Sequence, residues 1–447
     1  MTASKLFIRK FQVKNIKKSY FEKIVFKCSP GIDKINRTSF ENRIDEYADI
    51  ISVKALNGNY KFIPYKEKLI SKGYDKPPRQ ISIPSIRDKV TLSLLNECLS
   101  KVFENNVNNK IIQTIVDELK QSILSDHFNY FIKIDIKNFF PSIPHDKLMK
   151  LIRKKIRKRE ILTLIENSLK TPTIPFPTKN HSPNKVGIPQ GISTSNILAN
   201  IYLSDIDMSF SVSSNDFKYF RYVDDILILC NSTNVVTIKN DILSKLKKLD
   251  LETSPNKYKE AEICEGFSYL GYFYKEIGNE FGFSVRDESI KKFEESIIKI
   301  FSEYKFTNKR GTEKFIWKLN KKITGCVFEN KKYGWLFFYS QIDDQKLLYH
   351  LDWFIQKLCK QINLDSNVRT RIKRFVRTYH EIVFNLKNTN YIPNFDDFDL
   401  DEQRSVLQDV FDIRDALKLT ENEVKKTFKK NIFKFIKELE KDVQNIS

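Results

Sequence analysis

Three aspartates carry the first chemical suggestion. Asp135 stands inside FIKIDIKNFF, and Asp224 and Asp225 stand side by side inside FRYVDDILIL. Each interrupts an apolar run, where an unpaired carboxylate is costly to bury. Like charges gathered in such a setting demand a cation. Mg²⁺ takes oxygen ligands in near-octahedral geometry, so carboxylates on rigid backbone suit it. Two such ions, roughly 3.5–4 Å apart, can activate a hydroxyl and stabilise the leaving oxygens when a phosphodiester is made. A lone strand aspartate is more often a capped turn or an ion-pair partner. Two adjacent acids between Tyr-Val and Ile-Leu-Ile-Leu resist that explanation.

An aspartate ending one strand and an Asp pair in a neighbouring hairpin turn would bring such ligands together. The flanking pattern predicts both. Residues 128–143 are short, aromatic and β-branched, and Pro141 closes them, as in a buried strand. Residues 217–230 read as a hairpin around Asp-Asp. Between these runs lie a helix from about Pro144, a proline-rich connection over 171–191 that cannot be helix, and a helix over 193–209. Helix 241–249 and a strand pair over 266–274 follow. Upstream, residues 1–30 are basic and amphipathic, 31–90 alternate short strands and turns, and 88–125 read as helical. The order implies an α+β fold, an antiparallel sheet with helices on one face. From about 288 the pattern is helical to the end. The acidic stretch NFDDFDLDEQ (394–403) reads as a linker or solvated turn. After it, Thr420 and Glu423 fit a capping box. Val424, Phe428, Ile432, Phe435 and Leu439 form one apolar stripe there, with lysines opposite.

Composition bounds the partners. The 447 residues suffice for two or three domains, and 77 Lys and Arg against 56 Asp and Glu give a net charge of +21. Such an excess favours polyanions, because neutralising phosphates releases counterions; a Lys-rich composition tracking an AT-rich genome is the plainer account. The six cysteines form no CxxC or Cys/His cluster, which argues against zinc and suits a reducing compartment. Neither a secretory leader nor the roughly 20 apolar residues of a membrane span is evident. The expectation is a cytoplasmic protein with no membrane partner.

Beyond spacing, the motifs carry a resemblance. FIKIDIKNFFPSI, GIPQGISTSNILANIYLSDID (187–207) and YVDD (222–225) resemble the three central motifs of bacterial reverse transcriptases, shared by retron, group II intron and phage-defence enzymes. SPNKYK (254–259) is similar to the family's Asn-x-x-Lys element and FSYLGY (267–272) to its palm-to-thumb hairpin. PGIDKINRTSF (30–40) and KPPRQISIPSIRDKV (76–90) resemble the N-terminal extension and fingers of group II-like members. The likeness runs in order over about 30–275. It implies a right-hand polymerase fold, with fingers and an RRM-like palm followed by an all-helical thumb and a C-terminal helical domain. The implied divisions are a lead-in over 1–30, fingers over 31–127, palm over 128–275, thumb over 276–393 and a helical extension over 394–447.

The resemblance assigns roles residue by residue. Asp135 and Asp224 match the principal metal ligands, Asp225 the third acid, and the Ile136 carbonyl a further ligand for two Mg²⁺ ions, with Mn²⁺ as the alternative. Phe140 matches the aromatic side chain that excludes a 2′-hydroxyl, although Phe139 adjoins it and a plain core ring is the rival reading. Gln190 and Gly191 lie where sugar, template and nascent base pair approach; Arg79, and less specifically Lys76, lie where the triphosphate is gripped. Lys259 matches a lysine that protonates leaving pyrophosphate, with Lys257 close enough to compete. Tyr222 and Val223 fall at the primer side of the turn. Where the likeness thins, Lys331, Lys332 and Trp335 are candidates for a clamp on template and primer, or else belong to a helical core. The implied activity is RNA-directed DNA synthesis from dNTPs on a noncoding RNA template, in antiviral defence, since no nuclease or maturase module is recognisable. Template-independent or protein-primed DNA synthesis and a non-catalytic RNA-binding scaffold are the alternatives; self-association to a homo-oligomer is left open.

Overall fold

The computed structural model describes residues 2–26, 29–71, 77–107, 110–125, 128–178, 181–211, 216–307 and 311–443. The chain divides into two compact units, one of Met1–Asn109 with Tyr130–Glu260, the other of Lys110–Asn129 with Ala261–Ser447.

In the first unit β-branched and aromatic runs become strands β1 (Tyr65–Ile70), β2 (Arg79–Ile83), β3 (Tyr130–Asp135), β4 (Thr173–Ile174), β5 (Phe217–Tyr222) and β6 (Asp225–Cys230). Strand β7 (Lys259–Glu262) follows where the chain passes to the second unit. One sheet has the order β2-β1-β4 and the other β5-β6-β3-β7. Alternation places Ile132 and Ile134 of β3 beside Ile226 and Ile228 of β6 in one core with Ile197, Leu198 and Ile201 of helix Ser195–Phe210 and with Ile238 and Ile242 of helix Val235–Lys248. Every residue of β6 is buried, so the strand beginning with Asp225 is covered on both faces. The helical pattern over 88–125 resolves into two helices, Ile86–Val102 and Ile112–Ser125, because the Asn-rich connection after Phe103 favours a turn over helix.

The second unit holds β8 (Phe267–Tyr269), β9 (Tyr272–Ile277) and β10 (Glu280–Val285) in one antiparallel sheet, then helices from Asp287 onward. A hairpin interrupts the helical pattern: β11 (Cys326–Phe328) and β12 (Lys331–Tyr333) joined by Glu329 and Asn330. Both turn residues have positive φ, the backbone a tight two-residue hairpin demands. Asp396 stabilises that turn by accepting from the Glu329 and Asn330 amides at 2.7 and 2.8 Å. Of the two readings of 394–403, linker or solvated turn, the start of the stretch is a turn with Asp396 and Asp397 exposed, and not a linker. Phe395 is buried, and Asp399 with Glu402 forms the capping box of helix Leu400–Asp409. Among the described residues no helix is long and apolar enough to cross a membrane.

Candidate active site

Strand register decides which carboxylates meet. Antiparallel pairing sets Asp135, the last residue of β3, opposite Asp225, the first of β6. Tyr222 also pairs with Asp225, leaving Val223 and Asp224 as the two-residue turn. The Ile136 amide donates to the Asp224 carbonyl oxygen at 3.2 Å, tying the end of β3 to that turn.

The turn is strained. Val223 sits at φ +56°, a left-handed conformation that a β-branched residue rarely adopts, costing about 1–3 kcal/mol. A buried cluster holds it there. Arg221 donates to the Val223 carbonyl at 2.8 Å, to Asn200 at 3.2 Å and, through Nε, to Asp207 at 2.7 Å, and its second terminal nitrogen completes a fork on the same carboxylate. Tyr219 adds a hydroxyl donor to Asp207 at 3.0 Å. Sequence reasoning missed this cluster. Its signal was an arginine and an aspartate each placed inside an apolar run, in FRYVDD and in IYLSDID.

The carboxylates feel one another. Burial, then Asp135, raises Asp224, against Lys257 and Arg79, which lower it. Asp225 is pushed up to about 6 by burial, with Asp224 and Asp135 adding to the rise and Lys133 opposing it. Asp135 accepts from the Ser254 hydroxyl at 2.9 Å and from the Lys257 ammonium at 2.7 Å. Lys259 lies instead over the Phe131 ring, 5.4 Å from its centroid. Three carboxylates and a strand-end backbone are hard oxygen donors, and their mutual repulsion is what a divalent cation relieves, so the donor set fits Mg²⁺ or Mn²⁺. Among the described residues, no three acidic, His or Cys side chains converge into a finished ion cage. Lys257 holds Asp135 in the arrangement seen.

Other candidates gather around the same unit. Arg79 opens β2 and is near enough to Asp224 to act on its charge. The Gln190 carbonyl accepts from the Ser82 amide of β2 at 2.7 Å, and Gly191 follows at φ +95°. A Cβ at Gly191 would meet Ile81 at 2.6 Å, so only glycine lets the turn lie this close to β2. Of the adjacent rings, Phe139 is buried and Phe140 is half-buried against the core. Tyr222 is half-buried beside the turn. Lys76 lies outside the described residues. In the second unit, Lys331 and Lys332 are exposed on β12, but Trp335 is 1% exposed and stacks on Phe293 at 4.5 Å. Of the two readings of Trp335, clamp or helical core, the structure has the second, because its apolar area is covered by Phe293 and Tyr339.

Residues 70–274 match the family described as "Reverse transcriptase (RNA-dependent DNA polymerase)". Protein YkfC of Escherichia coli K12 is 22% identical over 289 residues, covering 55% of this chain and 75% of that protein. The group II intron-encoded protein LtrA of Lactococcus lactis is 29% identical over 161 residues, 34% of this chain and 26% of that protein. Among solved structures, apo telomerase from Candida tropicalis aligns with a TM-score of 0.45 at 14% identity, over 83% of this chain and 69% of that one, a distant likeness.

Proposed function

Starting from residues 70–274 as a reverse transcriptase domain, an RNA-directed DNA polymerase of the nucleotidyltransferase kind, we propose that this chain extends a DNA 3′ end on a noncoding RNA template. In that reaction the 3′-hydroxyl oxygen bonds to the α-phosphorus of a dNTP, the bond to the β-phosphate oxygen breaks, pyrophosphate leaves and the hydroxyl proton is lost. The observation that carries the reading is the register match of Asp135 with Asp225, with Asp224 in the adjoining turn.

Asp135, Asp224, Asp225 and the Ile136 carbonyl would hold two divalent cations. Bound there, the cations would ease loss of the hydroxyl proton and neutralise charge on the phosphates. The chain's own groups do the rest. Arg79 and the Lys257 ammonium offer positive charge to the triphosphate and the leaving pyrophosphate, with Lys259 as the second lysine of that segment. Phe140, the less buried of the two rings, would block a 2′-hydroxyl and so favour deoxynucleotides. Gly191 and Gln190 present backbone to the nascent pair, while Arg221 and Asp207 keep the Val223–Asp224 turn in its strained form.

The defence setting rests on the sequence reading alone. The chemistry is tested with purified chain, Mg²⁺, dNTPs and a DNA primer annealed to RNA. Wild type should extend the primer, and Asp224→Asn should cut the rate by at least about a thousandfold. No extension by a folded wild-type chain would remove the proposal. Sequencing nucleic acid that co-purifies with each form would then show which RNA is copied.

A further inference from the structure

The C-terminal helix Glu421–Leu439 presents two unlike faces. Val424, Phe428, Ile432, Phe433, Ile436 and Leu439 are buried in the second unit. Phe435 stands edge-on to Trp317 at 4.5 Å and Phe433 edge-on to Phe328 at 5.1 Å, so the helix is anchored along its length. On the opposite side stand Lys426, Lys430, Lys434, Lys437 and, two residues past the helix in the 3₁₀ turn Glu440–Asp442, Lys441, all exposed. At 100° per residue these five fall within about 80° of arc, across from Val424, Phe428, Ile432, Ile436 and Leu439, with buried Phe433 at the edge of the row, and the row runs for about 22 Å.

Among the described residues no ion pair neutralises the row, although the exposed Glu438 stands four residues after Lys434 and three before Lys441. The helix's recorded pair, Lys429 with Glu329, lies off the row. Of its first-turn acids, Glu423 stands on the same face one turn before the row and is engaged in the capping box with Thr420. Lysines at i, i+4 and i, i+3 repel, so the arrangement opposes the helix it sits on. A regularly spaced anionic polymer relieves that repulsion and gains counterion release. The membrane alternative for a basic amphipathic helix needs a free apolar face, and here that face is already in the core.

We propose that this lysine row, in the second unit, is a sequence-independent docking surface for the phosphate backbone of the RNA template. The choice of RNA over another polyanion rests on the reading of the chain as an RNA-directed polymerase. The geometry of the row does not.

The test measures binding of fluorescent oligouridylate to the full chain by anisotropy over a range of salt. The variant replaces all five lysines by glutamine, which keeps the stems and removes the repulsion, and circular dichroism checks that its helices persist. Expected is weaker binding, with the slope of log affinity against log salt reduced by about 3.5, at roughly 0.7 per lost phosphate contact. A five-arginine variant should restore the slope. An unchanged slope in the glutamine variant overturns the proposal. So does a loss seen with oligothymidylate or poly-L-glutamate but absent with oligouridylate. Asp224→Asn is carried alongside: it should keep the oligouridylate slope whatever it does to primer extension. A failed extension assay with an intact lysine effect would sink the polymerase reading and leave the docking surface standing.

Discussion

Gathering three carboxylates at one end of β3 and β6 costs stability when no cation is present. Asp225 is the clearest case, because burial lifts it to about 6 from an ordinary value near 3.8. The sign follows from proton counts. Below 3.8 both folded and unfolded chains hold the proton, between 3.8 and about 6 the folded chain holds more, and stability therefore falls as pH rises through that window. Above about 6 the whole cost is present, up to roughly 3 kcal/mol at 1.36 kcal/mol per unit. In EDTA, Asp225→Asn should thus melt higher than wild type at pH 7, with the gain shrinking towards pH 4. An equal gain at both values would show that the charge is not what costs. The acids themselves were legible, because a carboxylate inside an apolar strand is chemically conspicuous. Arg221 and Asp207 were not. Their meeting depends on how β5 lies along helix Ser195–Phe210, which no local pattern states. For Lys257 and Lys259 the sequence left two registers open, and only folded backbone places the first on Asp135 and the second over Phe131.

At the scale of elements, the turn Pro189–Gln190–Gly191 shows how a loop positions a strand. Its backbone accepts from Ser82 of β2, and Arg79 lies three residues back on the same strand. Gly191→Ala would push a methyl carbon into Ile81 and force alanine to φ +95°. The expected cost is about 2–4 kcal/mol, from overpacking plus backbone strain. Urea unfolding would measure the loss, and dNTP affinity should weaken with it as β2 shifts; a stability change under 1 kcal/mol would mean the turn does not lie this close. Elements with strong periodicity were readable: the Asp-Asp hairpin, the capped helix at 421–439 and the strand within 128–143, although it ends at Asp135 and the chain turns into the short helix Phe139–Ser142 instead of running on to Pro141. The hairpin of β11 and β12 was not. Its strands have three residues each, too short for alternation to register, and its turn is held by Asp396 from some 66 residues away. The same distant contact decides between the linker and the solvated turn that the run of acids left open. Its aspartates serve as caps, and capping depends on where the receiving amides end up.

For the whole molecule the governing quantity is charge. A net +21 was visible from composition, yet composition alone does not separate a nucleic-acid surface from a lysine-rich habit. Nor does it foresee that the chain forms two compact units, with 110–129 joining the second across a gap in sequence. What decides is whether the positive charge is paired. Much of it is: Lys10, Lys23, Lys120, Lys147, Lys239 and Lys322, among others, sit on carboxylates. The unpaired row on the C-terminal helix is where a polyanion gains most, so affinity for RNA should be set by a few local contacts and not by the total. Each phosphate neutralised on a single strand contributes a slope of about −0.7. With five row lysines engaged, wild-type binding of oligouridylate should show a slope of about −3.5 or steeper. Raising salt from about 50 to about 200 mM, a fourfold change, should then weaken it by about a hundredfold or more. A slope near −1 would mean that most of the positive charge is solvated surface, and that the net charge reports composition alone.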